Sequence, residues 1–260
     1  MEFFEVLTTV DENVSTPGGQ IDIFRFEVKF DNGNTLNFKY EVIIPIEDLY
    51  ISGNFPKWSN SPYSQTRREK LRLASSKVWQ VGWYLPTTKF SGSAGYHHIT
   101  KHILENKRKL ENHIPYLLAL SMSIKAKREK FDISGVDIIV PVPNFDLDDK
   151  SCAVSISNKL VEIMNKDGMN VKHLNLLSKK VPDKLKHLSL DDKEKFYSKH
   201  PVYKFQEDLA EVDDLRGKKI MLVDDVITQG YAAGRCLEEL SNQGVEDLCF
   251  YSVATTKRRS

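Results

Sequence analysis

The sequence has few cysteines, no long apolar run and almost no net charge. Its three cysteines, Cys152, Cys236 and Cys249, are far apart and form no C-x-x-C pair, which argues against a zinc module and a disulfide framework. No stretch approaches the ~18 apolar residues of a membrane-spanning helix, so we expect no membrane association. The amino terminus also lacks a basic segment followed by a long apolar one. These features together predict a cytoplasmic protein with reduced cysteines.

The charge balance does not indicate a partner. Thirty-seven Lys and Arg residues oppose thirty-six Asp and Glu residues, a formal net charge of +1. Overall charge therefore does not indicate nucleic acid, although local patches can still bind it. The basic run KAKREK, residues 125–130, can contact nucleic acid, or it can be a solvated helix end whose cations the helix dipole favours. The solvated helix end is the favoured interpretation.

The first third of the chain contains a clear β pattern. From Gln20 to Ile46, apolar and polar residues alternate around an Asn/Asp/Gly turn, which predicts an antiparallel hairpin. Residues 52–64 are rich in Gly, Pro, Ser and Asn and mark a soft boundary.

Helical patterns follow this boundary. Four apolar residues near helical spacing predict a helix that ends before Pro86: Leu71, Val78, Val81 and Leu85. After a Gly/Ser loop, helical sequence runs from Tyr96 to Lys130, with a break predicted near Pro115.

The second half alternates strand and helix patterns. VDIIVPVPN, NVKHLNLLSKK, KKIMLV and DLCFYSVAT predict strands, whereas SCAVSISNKLVEIMNKDG and residues 231–242 predict helices. A polar segment at 178–217 separates the strand predicted in NVKHLNLLSKK from the strand predicted in KKIMLV. This alternation is typical of βαβ units and a parallel sheet, whose ligands bind beyond the carboxyl ends of the strands.

The stretch KIMLVDDVITQGYAAG combines a strand, two acids and a glycine loop before a helix. The strand is predicted from Lys219 to Val223, followed by Asp224 and Asp225. Unpaired N–H groups at a helix start suit a phosphate, and carboxylates suit hydroxyls or Mg²⁺. A sugar phosphate would satisfy both halves, while a solvated βα turn is the alternative.

In this order, these parts resemble the phosphoribosyl pyrophosphate signature of type I phosphoribosyltransferases. Within that superfamily, residues 98–257 resemble the ComF-like proteins. The similarity lies in VPVPN, in the segment LLSKKVPDKLKHLSLDDKEKFYSKHPVYKF and in LRGKKIMLVDDVITQG.

The resemblance implies roles for particular residues. Asp224 and Asp225 would be the catalytic acids that face the ribose hydroxyls and Mg²⁺. The remaining phosphoribosyl pyrophosphate contacts would come from Val226, Ile227, Thr228, Gln229, Gly230, Tyr231, Ala232, Pro143 and Asn144, with the turn after Pro143 facing pyrophosphate. The segment 178–217 would form a hood over the acceptor.

The sequence also departs from the family. It lacks the amino-terminal zinc ribbon, and NFDLDDKSCA stands where relatives commonly carry Arg-Gly-Phe-Asn-Gln. Acids at a pyrophosphate loop repel an anion unless a metal intervenes. Tyr231 and Ala232 stand where a hydroxyl residue is usual.

Two further groups carry alternatives. Three histidines near a carboxylate can be metal ligands or surface residues, the latter being favoured: His97, His98 and His102, with Glu105. In the hood segment, three residues can contact phosphate oxygens or protonate a leaving group, or can serve solubility: Lys184, Lys186 and His187.

These observations predict an α/β protein: a type I phosphoribosyltransferase-like parallel-sheet domain at residues 96–260, preceded by a β-hairpin and helical region at 1–95. The expected function is Mg²⁺-dependent binding of phosphoribosyl pyrophosphate, or a related sugar phosphate, with transfer of its ribose-phosphate to a nitrogenous acceptor. The alternative is a non-catalytic module that senses a nucleotide or joins a nucleic-acid-associated assembly for DNA uptake or antiviral defence. A homodimer is compatible with the sequence.

Overall fold

The computed structural model describes about two thirds of the chain. The described residues are 3–16, 19–30, 35–44, 77–84, 98–108, 113–128, 131–144, 151–180, 192, 195–196, 202–206, 215–227 and 230–256. The strands in these ranges are β1 (Phe3–Thr16), β2 (Gly19–Phe30), β3 (Thr35–Ile44), β4 (Lys77–Tyr84), β5 (Ile138–Pro141), β6 (Lys172–His173), β7 (Leu177–Lys179), β8 (Tyr203–Phe205), β9 (Lys219–Ile227) and β10 (Asp247–Thr256). The helices are α1 (His98–Lys107), α2 (Ile114–Arg128), α3 (Cys152–Lys166) and α4 (Tyr231–Asn242).

A five-stranded sheet with the order β4-β10-β9-β5-β6 forms the centre of the fold, and all its neighbouring pairs are parallel. Buried side chains of α1, α2 and α3 cover one face. Those of α4 cover the other. The predicted α/β architecture with a parallel sheet is therefore confirmed.

Strand β9 lies in the middle of this sheet, which explains its continuous apolar sequence. Met221 and Val223 pack toward α1–α3, while Ile220 and Leu222 pack toward α4. A strand that is covered on both faces needs apolar residues at every position rather than at alternate ones.

The predicted end of β9 at Val223 is wrong. The strand continues to Ile227, because β10 pairs with it through Asp224 and beyond, to Ile227. Asp224 and Asp225 therefore lie inside the last part of the strand and do not follow it. The length of the neighbouring strand, which local sequence does not reveal, decides where β9 ends.

The predicted helix that ends before Pro86 is also wrong for its described part, since residues 77–84 form strand β4, parallel to β10. Trp79 anchors the strand: its ring stacks on Phe131 with centroids 5.0 Å apart and meets Tyr251 edge-on at 6.0 Å. Burial of aromatic rings and pairing at the sheet edge outweigh a short helical spacing. The first part of the predicted helix, including Leu71, lies outside the described residues, as does Leu85.

The amino-terminal hairpin is confirmed by the antiparallel pairing of β2 with β3. Strand β1, which was not predicted, pairs with β2 to complete a three-stranded sheet. The soft boundary at 52–64 lies outside the described residues. The domain boundary at residue 95 stays a prediction, although β4, which precedes it, belongs to the parallel sheet.

The remaining helices and strands agree with those predicted from the sequence, with one exception. Helices α1 and α2 bear out the helical pattern with a break, and Pro115 is in the first turn of α2, where a missing N–H costs little. The single strand predicted in NVKHLNLLSKK is instead two short strands, of which β7 pairs with β8 outside the main sheet. Among the described helices, none has the length and apolar character needed to cross a membrane.

Candidate active site

The candidate site lies where the sheet changes its direction of winding. From β5 the chain adds β6 toward one edge, and from β9 it adds β10 on the opposite side. In open parallel sheets, ligands bind beyond the carboxyl ends of the strands at such a point. Pro141 pairs with Val223 across β5 and β9, so the residues that follow them reach the same edge.

Two of the predicted segments meet at this edge. Pro143 and Asn144 follow β5, and Asn144 is exposed to solvent. Asp224 and Asp225 occupy the end of the neighbouring strand β9. Ile227 is buried in the α4-side core, so any contact it makes with a ligand has to come from its backbone.

Helix α4 begins directly after β9 with an open amino terminus. Its N-cap is Gly230, with φ 70°, which has no side chain of its own to accept a hydrogen bond from the first turn. A left-handed conformation suits glycine because it has no Cβ to clash with the backbone. Gly230 therefore satisfies none of the first-turn N–H groups through a side chain, and N–H groups and the dipole at a helix start suit an anion. Thr228, Gln229 and the side chain of Tyr231 lie outside the described residues.

Asp225 is the most connected acid of the site. Its Oδ2 accepts a hydrogen bond from the Nζ of Lys107 at 2.7 Å, and its Oδ1 accepts one from the backbone N–H of Val226 at 2.7 Å. Burial by itself would raise the pKa of Asp225, but the Lys107 ammonium lowers it below its usual value. Conversely, burial would lower the pKa of Lys107, yet Asp225 raises it. Asp225 is therefore ionised at neutral pH and paired with a cation.

Asp224 has the opposite electrostatic character. Its Oδ1 accepts a hydrogen bond from the backbone N–H of Asp225 at 2.8 Å. Burial, followed by the charge of Asp225, raises the pKa of Asp224 well above its usual value. Two adjacent carboxyl groups with pKa values pushed apart are a frequent arrangement at catalytic sites.

The two acids also interact with different layers of the protein. Asp225 contacts α1 through Lys107. Asp224 interacts instead with Cys236 of α4. Burial and then the charge of Asp224 raise the pKa of the Cys236 thiol. Successive residues of a strand point to opposite faces, which explains this division.

The first turn of α3 completes the surroundings of Asp225. Asn106 Nδ2 donates a hydrogen bond to Cys152 Sγ at 2.8 Å, and the thiol is close enough to Asp225 for that charge to affect its pKa. Burial and then the charge of Asp225 raise the thiol pKa well above its usual value. A protonated thiol is a poor nucleophile, so Cys152 acts here as a hydrogen-bond acceptor for Asn106 and as a packing group.

Sequence reasoning missed Lys107, Asn106 and Cys152. All three reach Asp225 or its neighbours only because α1 and α3 pack side by side over the sheet. The available local signal was a basic residue in the last turn of α1, which is common on solvated helix ends. Their role depends on contacts between distant parts of the chain.

Other candidates receive less support from their surroundings. In the basic run, Lys125 is 7% exposed and Lys127 pairs with Asp167 at 2.7 Å. Within the described ranges, no group of three or more His, Cys, Asp or Glu side chains is arranged to hold a metal ion. His97, Lys184, Lys186, His187 and the side chain of His98 lie outside the description.

Comparison with known proteins adds no further assignment. No family model matches the sequence, and no curated protein shows significant similarity to it. The chemistry of the site therefore follows from its own groups: two coupled carboxyls, a lysine and an open helix start at one sheet edge. They suit a ligand that carries both hydroxyls and phosphate.

Proposed function

We propose that the protein binds phosphoribosyl pyrophosphate, or a related sugar phosphate, at the carboxyl edge of β5 and β9 and transfers the ribose-phosphate to a nitrogenous acceptor. The supporting observation is that the open amino terminus of α4 directly follows the carboxyl pair at the point where the sheet changes direction. The helix start suits the 5-phosphate, and the carboxyls suit the ribose hydroxyls. In this assignment the domain is a type I phosphoribosyltransferase-like fold.

The donor set fits Mg²⁺. This cation is commonly bound through one or two carboxylates together with phosphate oxygens of the substrate. Asp225 is ionised. Burial and then the charge of Asp225 raise the pKa of Asp224, and the positive charge of an approaching cation would oppose both effects and favour its ionised form. Bound there, Mg²⁺ would supply positive charge for the departing pyrophosphate.

The residues of the chain would perform the positioning. Asp225, held by the N–H of Val226, would orient the ribose hydroxyls. The first-turn N–H groups of α4 would fix the 5-phosphate, so that the reacting carbon is held in line between acceptor and leaving group. The turn after Pro143 would face the pyrophosphate.

Pyrophosphate release tests this proposal. The protein is incubated with labelled phosphoribosyl pyrophosphate, MgCl₂ and a panel of nitrogenous bases, and the matched control is the variant Asp224→Asn/Asp225→Asn. We expect release by the native chain with at least one base and none by the variant. Absence of binding to both phosphoribosyl pyrophosphate and ribose 5-phosphate in calorimetry would overturn the proposal.

Binding without pyrophosphate release would instead favour the second function, a non-catalytic module that senses a nucleotide or joins a nucleic-acid-associated assembly. One observation favours it: the cation-binding oxygen of Asp225 is already held by Lys107. Single-stranded DNA added to the same calorimetric assay distinguishes a nucleotide sensor from a nucleic-acid-binding protein.

A further inference from the structure

The Lys107 ammonium lies where a metal cation bound to the Asp225 carboxylate would lie. Its Nζ lies 2.7 Å from Oδ2, while Oδ1 is held by the backbone of Val226. The lysine side chain is 45% exposed and that of the aspartate 12%, so the ammonium covers the open side of a nearly buried carboxylate. A divalent cation at the same carboxylate would be repelled by the ammonium, and the two therefore compete for it.

Lys107 also lies beside the start of α3. The preceding residue, Asn106, contacts both Cys152 Sγ at 2.8 Å and Ser155 Oγ at 3.4 Å. These contacts hold the end of α1 against the first turn of α3, and the next residue of α1, Lys107, pairs with Asp225 of β9. The ammonium therefore lies at the end of β9, on a helix end that is joined to the start of the helix that follows β5.

The sequence after β5 lacks the positive charge that a pyrophosphate needs. The segment Phe145-Asp146-Leu147-Asp148-Asp149-Lys150 contains three acids and one base. A pyrophosphate bound near Asn144 would gain little positive charge from this segment, so a cation of another element is suited to pair with it beside bound Mg²⁺. Lys107 has a flexible stem of four carbons and a half-exposed side chain, so its ammonium can move without unpacking the core.

We propose that Lys107 exchanges partners when ligand binds: it pairs with Asp225 in the free protein, and it leaves Asp225 to pair with the pyrophosphate of the ligand when a divalent cation takes its place. This inference rests on the proposed function and names a ligand-binding residue outside every motif of the sequence. If the exchange occurs, loss of the lysine should strengthen divalent-metal binding and weaken pyrophosphate binding.

The variant Lys107→Met tests the exchange. Mn²⁺ binding without ligand is measured by paramagnetic resonance, and binding of inorganic pyrophosphate with MgCl₂ by calorimetry. We expect Mn²⁺ to bind more tightly, because its competitor is absent. Pyrophosphate should bind roughly ten- to a hundredfold more weakly, the usual effect of losing a charged hydrogen bond. A merely structural lysine would weaken both.

Lys101→Met is the matched control, since Lys101 is on the same helix, is 57% exposed and pairs with Glu105 at 3.7 Å. Neither measurement should change in this variant. If Lys107→Met does not fold, Lys107→Gln carries the same test, because glutamine keeps a hydrogen-bond donor and removes the charge.

Unchanged or weakened Mn²⁺ binding in the folded Lys107 variant would overturn the exchange, and so would unchanged pyrophosphate affinity. Ribose 5-phosphate separates this failure from failure of the proposed function. If the native chain binds ribose 5-phosphate and pyrophosphate, and Lys107→Met changes neither measurement, only the proposed exchange is disproved. If the native chain binds neither compound, the proposed function is disproved as well.

Discussion

The connections β5–α3 and β9–α4 reach the same edge of the sheet, but their helices begin differently. Helix α3 starts at Ser151, whose Oγ accepts a hydrogen bond from the N–H of Val154 at 3.1 Å. Helix α4 starts at Gly230, which offers no side-chain cap. The N-cap of α3 therefore satisfies one first-turn N–H within the protein, whereas the N-cap of α4 has no side chain that could satisfy one. We therefore expect an anion to bind at the start of α4 rather than at the start of α3.

Substitution of Gly230 should have the largest effect. Gly230→Val forces a branched side chain into a left-handed conformation, which costs about 1–2 kcal/mol, and it blocks the approach of a phosphate. We expect loss of measurable ribose 5-phosphate binding in calorimetry. Gly168→Val is the control: Gly168 has φ 87°, and no described heavy atom lies within 4 Å of an added Cβ. Equal loss of binding in both variants would mean that strain alone is responsible.

A hydroxyl added to the start of α4 should strengthen binding. Ala232→Thr places a hydroxyl in the first turn, and a hydroxyl bonded to a charged phosphate contributes roughly 1.5–3 kcal/mol. Ribose 5-phosphate should then bind on the order of ten- to a hundredfold more tightly. Ala232→Val has nearly the same shape without the hydroxyl and should not gain affinity. If neither variant changes the affinity, the phosphate does not bind at this helix start.

Removal of the α3 cap should affect stability but not binding. Ser151→Ala leaves the N–H of Val154 without its acceptor and should lower the free energy of unfolding by about 0.5–2 kcal/mol. Ser151→Thr, which keeps the hydroxyl, should stay near the native value. Urea unfolding gives the stability and calorimetry the ribose 5-phosphate affinity. A large fall in affinity for Ser151→Ala alone would show that the α3 start also binds the ligand.

The raised pKa of Asp224 predicts a dependence of stability on pH. Because the folded state holds this proton more tightly than the unfolded chain, the stabilisation is complete below about pH 3.9 and is lost as pH rises through the folded pKa. Asp224→Asn removes this loss. In metal-free urea unfolding, the stability of the variant relative to the native chain should therefore increase from pH 4 to pH 8. A constant difference would mean that Asp224 is ionised throughout.

The smallest expected effect concerns Cys152, which is in the first turn of α3 and is influenced by Asp225 of β9. Burial and then the charge of Asp225 raise its thiol pKa, so Asp225→Asn should lower that pKa. Alkylation of Cys152 by iodoacetamide, followed by mass spectrometry, should then begin at a lower pH. Asp167→Asn, which removes the carboxylate at the C-cap of α3 that pairs with Lys127, is the control and should leave the profile of Cys152 unchanged. An unchanged pH profile at Cys152 would place the thiol outside the influence of Asp225.

Local patterns in the sequence predicted much of the sheet and the position of the candidate site. Apolar strand sequences and amphipathic helix sequences indicated β5, α3, β9, α4 and β10. The acids and Gly230 were recognised because a strand, acids, a glycine and a helix stand close together in the chain. Such features depend on neighbouring residues, which is why sequence alone can show them.

Tertiary structure alone decided the remaining features. Strand β4 forms because β10 offers a pairing edge and Trp79 finds Phe131 and Tyr251, all distant in the chain. The pairing of Lys107 with Asp225 likewise requires α1 to pack over the end of β9. Local sequence specifies which residues can form a helix, a strand or a charge pair. Long-range burial and pairing select among those options, because their free energy exceeds the weak preferences of short segments.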